Sequence, residues 1–343
     1  MRYKLLGRSG LRVSELALGT MTFGPEWGWG ADKEESRKIF DAFAEAGGTL
    51  IDTANRYTEG TSERYVGDFV SADRDHFVVA TKYTLFDRHG DPNASGNHRK
   101  NMVRSLETSL ERMGLDFVDL FWLHAWDFTT GVDEVMRGLD DLVRSGLVLY
   151  VGISDTPAWV VSQANMLADL RGWSPFVAAQ LRYSLVDRTA ERDLLPMARA
   201  LDLAVTPWGV LSAGVLSGKY TRGTAPGSGR AEANAAKQER NLAIARAVDA
   251  VAVEVGCTSS QVAVAWVRQQ PGVIIPIVGA RTADQLRDNL GALDVTLDAP
   301  QLAKLDEASA IEPGFPYDFL FSDHIRNIVY GGTYAQIDNH RRR

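Results

Sequence analysis

The chain has 343 residues, 45% of them hydrophobic and 24% charged, an ordinary globular balance with material for one large barrel or two modest domains. A net charge of −7, with one short basic run at 341–343, leaves no electrostatic footprint for nucleic acid. A single cysteine, Cys257, excludes an internal disulfide and an all-cysteine metal cluster; no HExxH-type pair occurs, no run approaches the ~20 apolar residues of a membrane helix, and MRYKLLGRSG has no apolar signal core, so a cytosolic chain is expected.

Residues 3–6 and 11–13 flank Gly7 and Gly10 and predict a short hairpin. Apolar runs then alternate with amphipathic stretches. A strand at 16–19 precedes a helix at 33–46, and a strand at 49–52 precedes a helix at 62–69 with Ser62 as a candidate N-cap. The run 77–82 is nearly all apolar and ends in Lys82; the helix 99–113 follows, with Val103, Leu106, Leu110 and Met113 at helical spacing. Strands at 117–124, 149–154, 176–181 and 203–208 alternate with helices at 133–145, 157–170 and 191–201. A Gly/Ser-rich loop spans 209–235, two helices follow at 242–255 and 259–269, then a strand at 273–278 and closing helices at 283–290 and 300–308.

Eight strand-then-helix units therefore begin at Leu16. Strands this apolar are buried on both faces, which implies a parallel sheet covered by helices. The count and length fit a (β/α)8 TIM barrel, with an N-terminal β-hairpin (1–15), barrel and accessory helices (16–309) and a C-terminal extension (310–343), in a single unit over 1–343. A doubly wound dinucleotide fold would want GxGxxG after its first strand, and none is there.

Barrel sites form at the C-terminal ends of the strands. The second strand ends in Asp52, with Tyr57 in the loop beyond; the third ends in Lys82 and the fourth in His124. Alone, each has a bland reading: a capping carboxylate, a snorkelling lysine, a packed tyrosine, a core histidine. Together they converge on one mouth from three neighbouring strands. Tyrosine is a poor acid near neutrality unless tuned, and a nearby Lys⁺ lowers its pKa. A carboxylate keeps a buried lysine charged. Tyr57, Lys82 and Asp52 thus read as a proton-donating relay, and His124 as a hydrogen-bond donor that orients a substrate oxygen.

The pieces GRSGLRVSELALGTMTFG, IDTANRYTEGTSERYVG, VVATKY, DLFWLH, VGISD, AQLRYSLVDR, TPWGVLSAGVLSGKY and IPIVGARTADQLRDNLGA stand in the order found in aldo-keto reductases, which the chain resembles over nearly its whole length. The wording is closer to the bacterial and potassium-channel-β-like branches than to vertebrate aldose reductases. The resemblance implies NADPH-dependent reduction of an aldehyde or ketone, with Asp52, Tyr57, Lys82 and His124 as the catalytic tetrad. It implies that Gly19, Thr20 and Met21 line the nicotinamide ribose, that Ser154, Asp155 and Gln180 hold the carboxamide, and that Trp208 stacks on the ring. Leu211, Gly214, Leu216, Gly218 and Lys219 would wrap the pyrophosphate, and Arg281, Gln285 and Asn289 would grip the adenosine end.

The last three are spaced by four, so they share a helix face, and an Arg suits a 2′-phosphate. Two residues depart from common wording. Asp155 replaces an Asn of many relatives, and an ionised Asp accepts but does not donate, so Ser154 or Gln180 must supply the donor. Arg281 replaces a small hydroxyl residue of other branches; NADPH is favoured and NADH stays open.

Trp27, Trp29, Tyr83, Phe86 and Trp126 lie in segments expected to border the mouth and suggest an apolar or aromatic small-molecule carbonyl substrate, or else cover for the cofactor. Trp122, two before His124, reads as a core layer beneath the site. Aromatics of the tail, from Phe315 to Phe321, suit a lid, packing on the barrel's outside, or a contact in a homo-oligomer. The rival functions are an NADPH-binding regulatory subunit with little turnover and a barrel glycosidase; the latter needs paired acids at strand ends, and only Asp155 could join Asp52.

Overall fold

The computed structural model describes residues 1–222 and 239–339. Strands β1 (Tyr3–Leu5) and β2 (Arg12–Ser14) pair antiparallel as the N-terminal hairpin. Eight parallel strands follow: β3 (Ala17–Gly19), β4 (Leu50–Asp52), β5 (Val78–Tyr83), β6 (Val118–Leu123), β7 (Val148–Ser154), β8 (Phe176–Arg182), β9 (Ala204–Trp208) and β10 (Ile277–Val278). They lie in the order β10-β3-β4-β5-β6-β7-β8-β9. The ring closes where Val205 N donates to Val273 O (2.7 Å) and Ile275 N donates to Val205 O (2.8 Å). This is a (β/α)8 barrel. Its last strand is shorter than the predicted 273–278 because Pro276 has no N–H to offer the ladder.

Helices α1 (Lys33–Glu45), α2 (Thr61–Val70), α3 (Arg99–Met113), α4 (Val132–Arg144), α5 (Ala158–Arg171) and α6 (Leu194–Ala200) follow the strands β3 to β8 in turn. After β9 come α7 (Glu239–Val255) and α8 (Ser259–Arg268); α9 (Ala283–Leu290) and α10 (Ala299–Ser309) follow β10. Reciprocal capping boxes start α8 (Thr258 with Gln261) and α10 (Asp298 with Gln301), satisfying first-turn N–H groups that no helical carbonyl can reach. None of the described helices is by itself long and apolar enough to cross a membrane.

Side chains alternate along each strand, so two cores form. Leu50, Ala80, Leu120, Trp122, Ala178 and Ile275 fill the barrel's inside, and Ile51, Val79, Phe121, Leu123 and Val151 pack under the helices. Gly152, opposite Trp122 in the β6–β7 register, makes room for the indole: a Cβ there would lie 2.4 Å from the ring. Trp122 is thus the layer beneath the site. The hairpin presses on the barrel's N-terminal end, where Leu6 and Val13 join the inner core.

Two expectations need correction. Ser62 does not cap α2; Gly60, at φ 85°, occupies that position, and Ser62 Oγ turns inward to donate to Thr20 O (2.8 Å). The helix predicted from 191 starts at Leu194, after a separate 3-10 turn at Thr189–Glu191. The tail, whose aromatics suit a lid, packing on the barrel's outside or a subunit contact, forms two helices, α11 (Tyr317–Leu320) and α12 (Asp323–Tyr330). Of the predicted loop 209–235, residues 223–235 lie outside the described residues, as does the basic run 341–343.

Gly7 has φ 57°, and a Cβ on it would sit 2.2 Å from Val177 O and 2.6 Å from Asp202 O. Gly7→Ala is expected to cost at least about 2 kcal/mol in urea unfolding, since backbone on both sides cannot yield. Gly10→Ala, with nothing within 4 Å, should stay within about 0.5 kcal/mol of the parent; equal effects at the two glycines would refute the packing.

Candidate active site

Strands β4 and β5 run in parallel register, so Asp52 and Lys82 both face inward at the barrel's C-terminal end. Lys82 is fully buried. Its Nζ donates to Asp52 Oδ2 at 2.5 Å, Thr53 O at 2.8 Å and the Tyr57 hydroxyl at 3.2 Å. Three donors meet three acceptors, so the ammonium's hydrogen-bonding capacity is filled. Asp52 Oδ1 accepts from Gln180 Nε2 at 2.9 Å, reached from β8 across the barrel. Both carboxylate oxygens are held. Gln180, expected at a cofactor carboxamide, is therefore also a partner of Asp52. Sequence spacing could not show this, because the two residues are 128 apart.

Burial pulls Lys82 toward the neutral amine, but Asp52 and Tyr57 more than offset it, and its pKa lies above the ordinary lysine value. Burial raises the Tyr57 phenol, and Lys82 opposes this without reversing it. The expected lowering of Tyr57 by lysine is thus outweighed by desolvation: the phenol holds its proton firmly. His124 stands with its ring 6.0 Å from that of Tyr57 at 83°. Burial, then the charge of Lys82, lowers its pKa to about 3. The imidazole is neutral near pH 7, and its Nδ1 is buried without a hydrogen-bond partner.

The turn carrying Tyr57 is unusual. Thr58, Glu59 and Gly60 have φ of 46°, 55° and 85°, three left-handed residues in succession. Non-glycine residues there cost roughly 1–3 kcal/mol each, so something must hold the turn. Thr58 Oγ1 donates to Phe23 O at 2.6 Å and accepts from Ser62 N at 3.1 Å. Arg112, from α3, donates to Asn55 O at 2.8 Å and to Glu63 at 3.0 Å. A Cβ on Gly60 would lie 2.8 Å from the Arg112 guanidinium carbon. Glu63 is fully buried, accepts from Thr81 Oγ1 at 2.6 Å, and is raised by burial against the pull of its partners. Sequence reasoning missed this clamp: Glu63 was visible beside Ser62, but Arg112 comes from α3, 49 residues away.

Around the mouth, a cavity of about 570 Å³ is lined by Phe128, Ser154, Asp155, Gln180, Arg182 and Trp208 among others. Ser154 Oγ is buried there without a partner. Asp155, at φ 37°, accepts from Trp208 Nε1 at 3.2 Å, and desolvation raises its carboxyl although the residue is exposed. Gly209, at φ 71°, turns the backbone just after Trp208. Thr20 is fully buried and its hydroxyl donates to Asp52 O (3.0 Å), while Gly19 closes β3 beside Ile277. Met21 follows in the same loop.

Beyond Trp208 a 3-10 turn (Ser212–Ser217) contains left-handed Ala213 and Gly214. A Cβ at Gly214 would meet Lys219 Nζ at 2.6 Å, so the glycine lets the lysine cross the loop. Leu216 is buried and offers only its backbone; Leu211 is partly buried, and Gly218 turns the chain at φ 79°. Burial and then the charge of Arg281 lower the pKa of Lys219, so the two cations share one neighbourhood. Gln285 Oε1 accepts from Arg281 N at 3.0 Å, and both residues are exposed. Asn289 is buried and its amide reaches Gly279 O at 3.4 Å, so it does not stand on an open face with the other two. The orphaned Ser154 hydroxyl and the neighbouring cations Lys219 and Arg281 fit an extended, polyanionic dinucleotide.

Of the aromatic candidates, Trp27 and Trp29 pair with ring centroids 5.6 Å apart, and Trp27 Nε1 donates to Glu59 Oε1 at 3.2 Å, tying them to the Tyr57 turn. Phe86 lies under the Arg56 guanidinium at 4.5 Å. Trp126 packs partly on the outer core, and its backbone N–H donates to Asp155 O at 3.4 Å. Tyr83 is a correction: fully buried, it stacks on Phe121 at 5.2 Å. Strand alternation turns it outward because Lys82 points inward.

The chain matches the sequence profile of the Aldo/keto reductase family over residues 15–310. It is 40% identical over 335 residues to an aryl-alcohol dehydrogenase (NADP+) of Phanerodontia chrysosporium, covering 92% of this chain and 87% of that one. To norsolorinic acid reductase of Aspergillus flavus it is 37% identical over 327 residues, covering 92% and 83%. These fungal reductases and dehydrogenases give no specific support to the channel-β-like branch that the motif wording suggested.

The depressed His124 makes a stability prediction. Its folded pKa of about 3 lies below the unfolded 6.5, so between these values the unfolded chain binds more protons. The stabilisation is complete above about pH 6.5 and is lost as pH falls toward 3. Replacing His124 with Gln should therefore reduce, by up to about 2 kcal/mol, the stability lost between pH 7 and 5 in urea unfolding. An unchanged loss would show that His124 titrates normally.

Proposed function

The chain belongs to the aldo/keto reductase family, and on that premise we propose that this oxidoreductase interconverts an aromatic aldehyde or ketone and its alcohol with NADP(H), using Tyr57 as the proton donor. The observation that carries the reading is the contact of one buried ammonium, Lys82, with both the Asp52 carboxylate and the Tyr57 hydroxyl. Bound NADPH supplies the hydride. The chain's own residues then manage the proton. Tyr57, protonated at rest, gives its hydrogen to the carbonyl oxygen as negative charge develops there. Lys82 stabilises the resulting phenolate, and Asp52, held by Gln180, keeps Lys82 charged. His124, neutral near pH 7, donates a hydrogen bond that orients the same oxygen. In the alcohol-oxidising direction Tyr57 takes the proton back.

Several features support NADP(H). Ser154 Oγ, buried and without a partner, supplies the donor that an ionised Asp155 cannot give a carboxamide. Lys219, whose pKa is lowered by burial and then by the nearby charge of Arg281, suits with that arginine a diphosphate and a 2′-phosphate. The relative that is 40% identical bears NADP+ in its name. For the substrate, the Trp27–Trp29 pair, tied through Glu59 to the turn that carries Tyr57, and Phe86 under Arg56 favour an aryl group, in line with the name of that relative. The regulatory-subunit reading draws nothing from the two relatives, whose names are those of a reductase and a dehydrogenase.

The test is oxidation of NADPH, beside NADH, over a panel of benzaldehydes and aryl ketones, with cofactor binding followed by tryptophan fluorescence. Tyr57→Phe should lower kcat by roughly 10²–10⁴-fold while NADPH still quenches the fluorescence. Tight NADPH binding without turnover on any carbonyl would favour the regulatory reading; full activity in Tyr57→Phe would remove the proposed proton donor.

A further inference from the structure

The tail helices α11 and α12 contain no buried residue. Phe315, Phe319, Leu320, Phe321, Ile328 and Val329 are each 50–83% exposed. Yet the tail is ordered by its own bonds: Ser322 caps α12 by accepting from Ile325 N, Phe315 approaches Phe319 at 6.3 Å, and Tyr317 stacks on Phe321 at 6.1 Å. Helices of four and eight residues do not hold in water without a tertiary partner. Here the tail's own barrel does not supply one.

A second apolar face lies open on the barrel. Helix α5 buries Val160, Val161, Ala164 and Ala168, but Trp159, Met166 and Leu170 are 64%, 59% and 76% exposed. Residues seven and eleven apart fall on one stripe, so α5 is apolar on two sides, the pattern of a helix covered on both. At the mouth, Phe128 is 71% exposed and lines the same cavity as Pro157, at the start of α5.

The base of the tail is fixed beside this face. Arg192 donates to Glu312 O at 3.2 and 2.9 Å, and Arg188 donates to Asp306 O at 3.1 Å. Both arginines lie in the β8–α6 connection, at the mouth end of the barrel and next to α5 in the helix ring. We propose that two copies of this chain form a dimer in which the tail of each lies on the Phe128–α5 face of the other. A two-fold axis between neighbouring sectors makes the exchange reciprocal and closes it at two copies. The tail and α5 residues together offer roughly 1,000 Å² of apolar surface per copy, from ~150–250 Å² per large side chain. A stable interface needs about 800 Å² per partner. Since Phe128 borders the cavity that holds Ser154, Asp155 and Trp208, the partner's tail would wall one side of the mouth.

Light scattering on the full-length chain, after size exclusion at about 20 μM, tests this. The unsubstituted protein is expected at twice the chain mass. Two charge variants, Phe319→Asp with Phe321→Asp and Met166→Asp with Leu170→Asp, should each run at the single-chain mass with unchanged circular dichroism, since these side chains are exposed in one copy. An equimolar mixture of the two variants should recover part of the dimer, because one of the two reciprocal contacts is then intact. A single-chain mass for the unsubstituted protein would overturn the proposal, and slow amide exchange in α12 of that monomer would make the tail a lid on its own barrel. A dimer that survives the α5 substitutions, or an assembly larger than two, would equally overturn it.

Discussion

A lysine at zero exposure inside a barrel is sustainable only in company. Desolvating an ammonium costs several kcal/mol even after relaxation, and Lys82 meets that cost with one carboxylate, one carbonyl and one phenol. The rest of the site depends on this pair. Asp52 is placed by β4 and steadied by Gln180, so the counter-charge cannot swing away. His124, close to a fixed positive charge and out of water, stays neutral. Tyr57 faces an ammonium but keeps its proton, because desolvation of the phenolate outweighs the attraction. Such a donor releases its proton when negative charge appears on an oxygen beside it, and resists loss to solvent.

The second constraint is mechanical. Tyr57 comes from a loop, not from a strand, and the loop closes through successive left-handed residues. That backbone is kept by the buried Glu63–Arg112 pair, the Thr58 hydroxyl and the close fit of Gly60 against the guanidinium. Removing one partner of a buried ion pair leaves an uncompensated charge. The cost of the clamp and the placement of the phenol are therefore linked, and a site on a strained turn becomes as definite as one on a strand.

The sequence was most legible where periodicity and strand ends coincide. Lys82 ends an apolar run, and Asp52 and His124 close the runs on either side, so a barrel pattern sufficed to bring them together. Trp122 followed from alternation with His124. The same rule, applied to Tyr83, would have sent it outward into the helix layer, where it is found. Ser62 was misread because capping is a local rule, whereas its hydroxyl bonds to Thr20, 42 residues earlier. Gln180 to Asp52 and Arg112 to Glu63 are contacts between distant elements, set by barrel closure and helix packing. The shortness of β10 was available in Pro276. The tail's aromatics were visible, but their two helices and open faces were not, since a short amphipathic segment does not specify what it packs against.

The charge of Lys82 underlies the whole relay, and nuclear magnetic resonance of lysine labelled at Cε, with Lys82 assigned by its loss in Lys82→Arg, reads it directly. In the parent chain Lys82 should stay an ammonium beyond the pH at which an ordinary lysine loses its proton, and in Asp52→Asn its pKa should be displaced downward, since burial then acts with less opposition. A neutral amine at Lys82 near pH 8 in the parent would contradict it, for Tyr57 would then face no charge able to stabilise its phenolate.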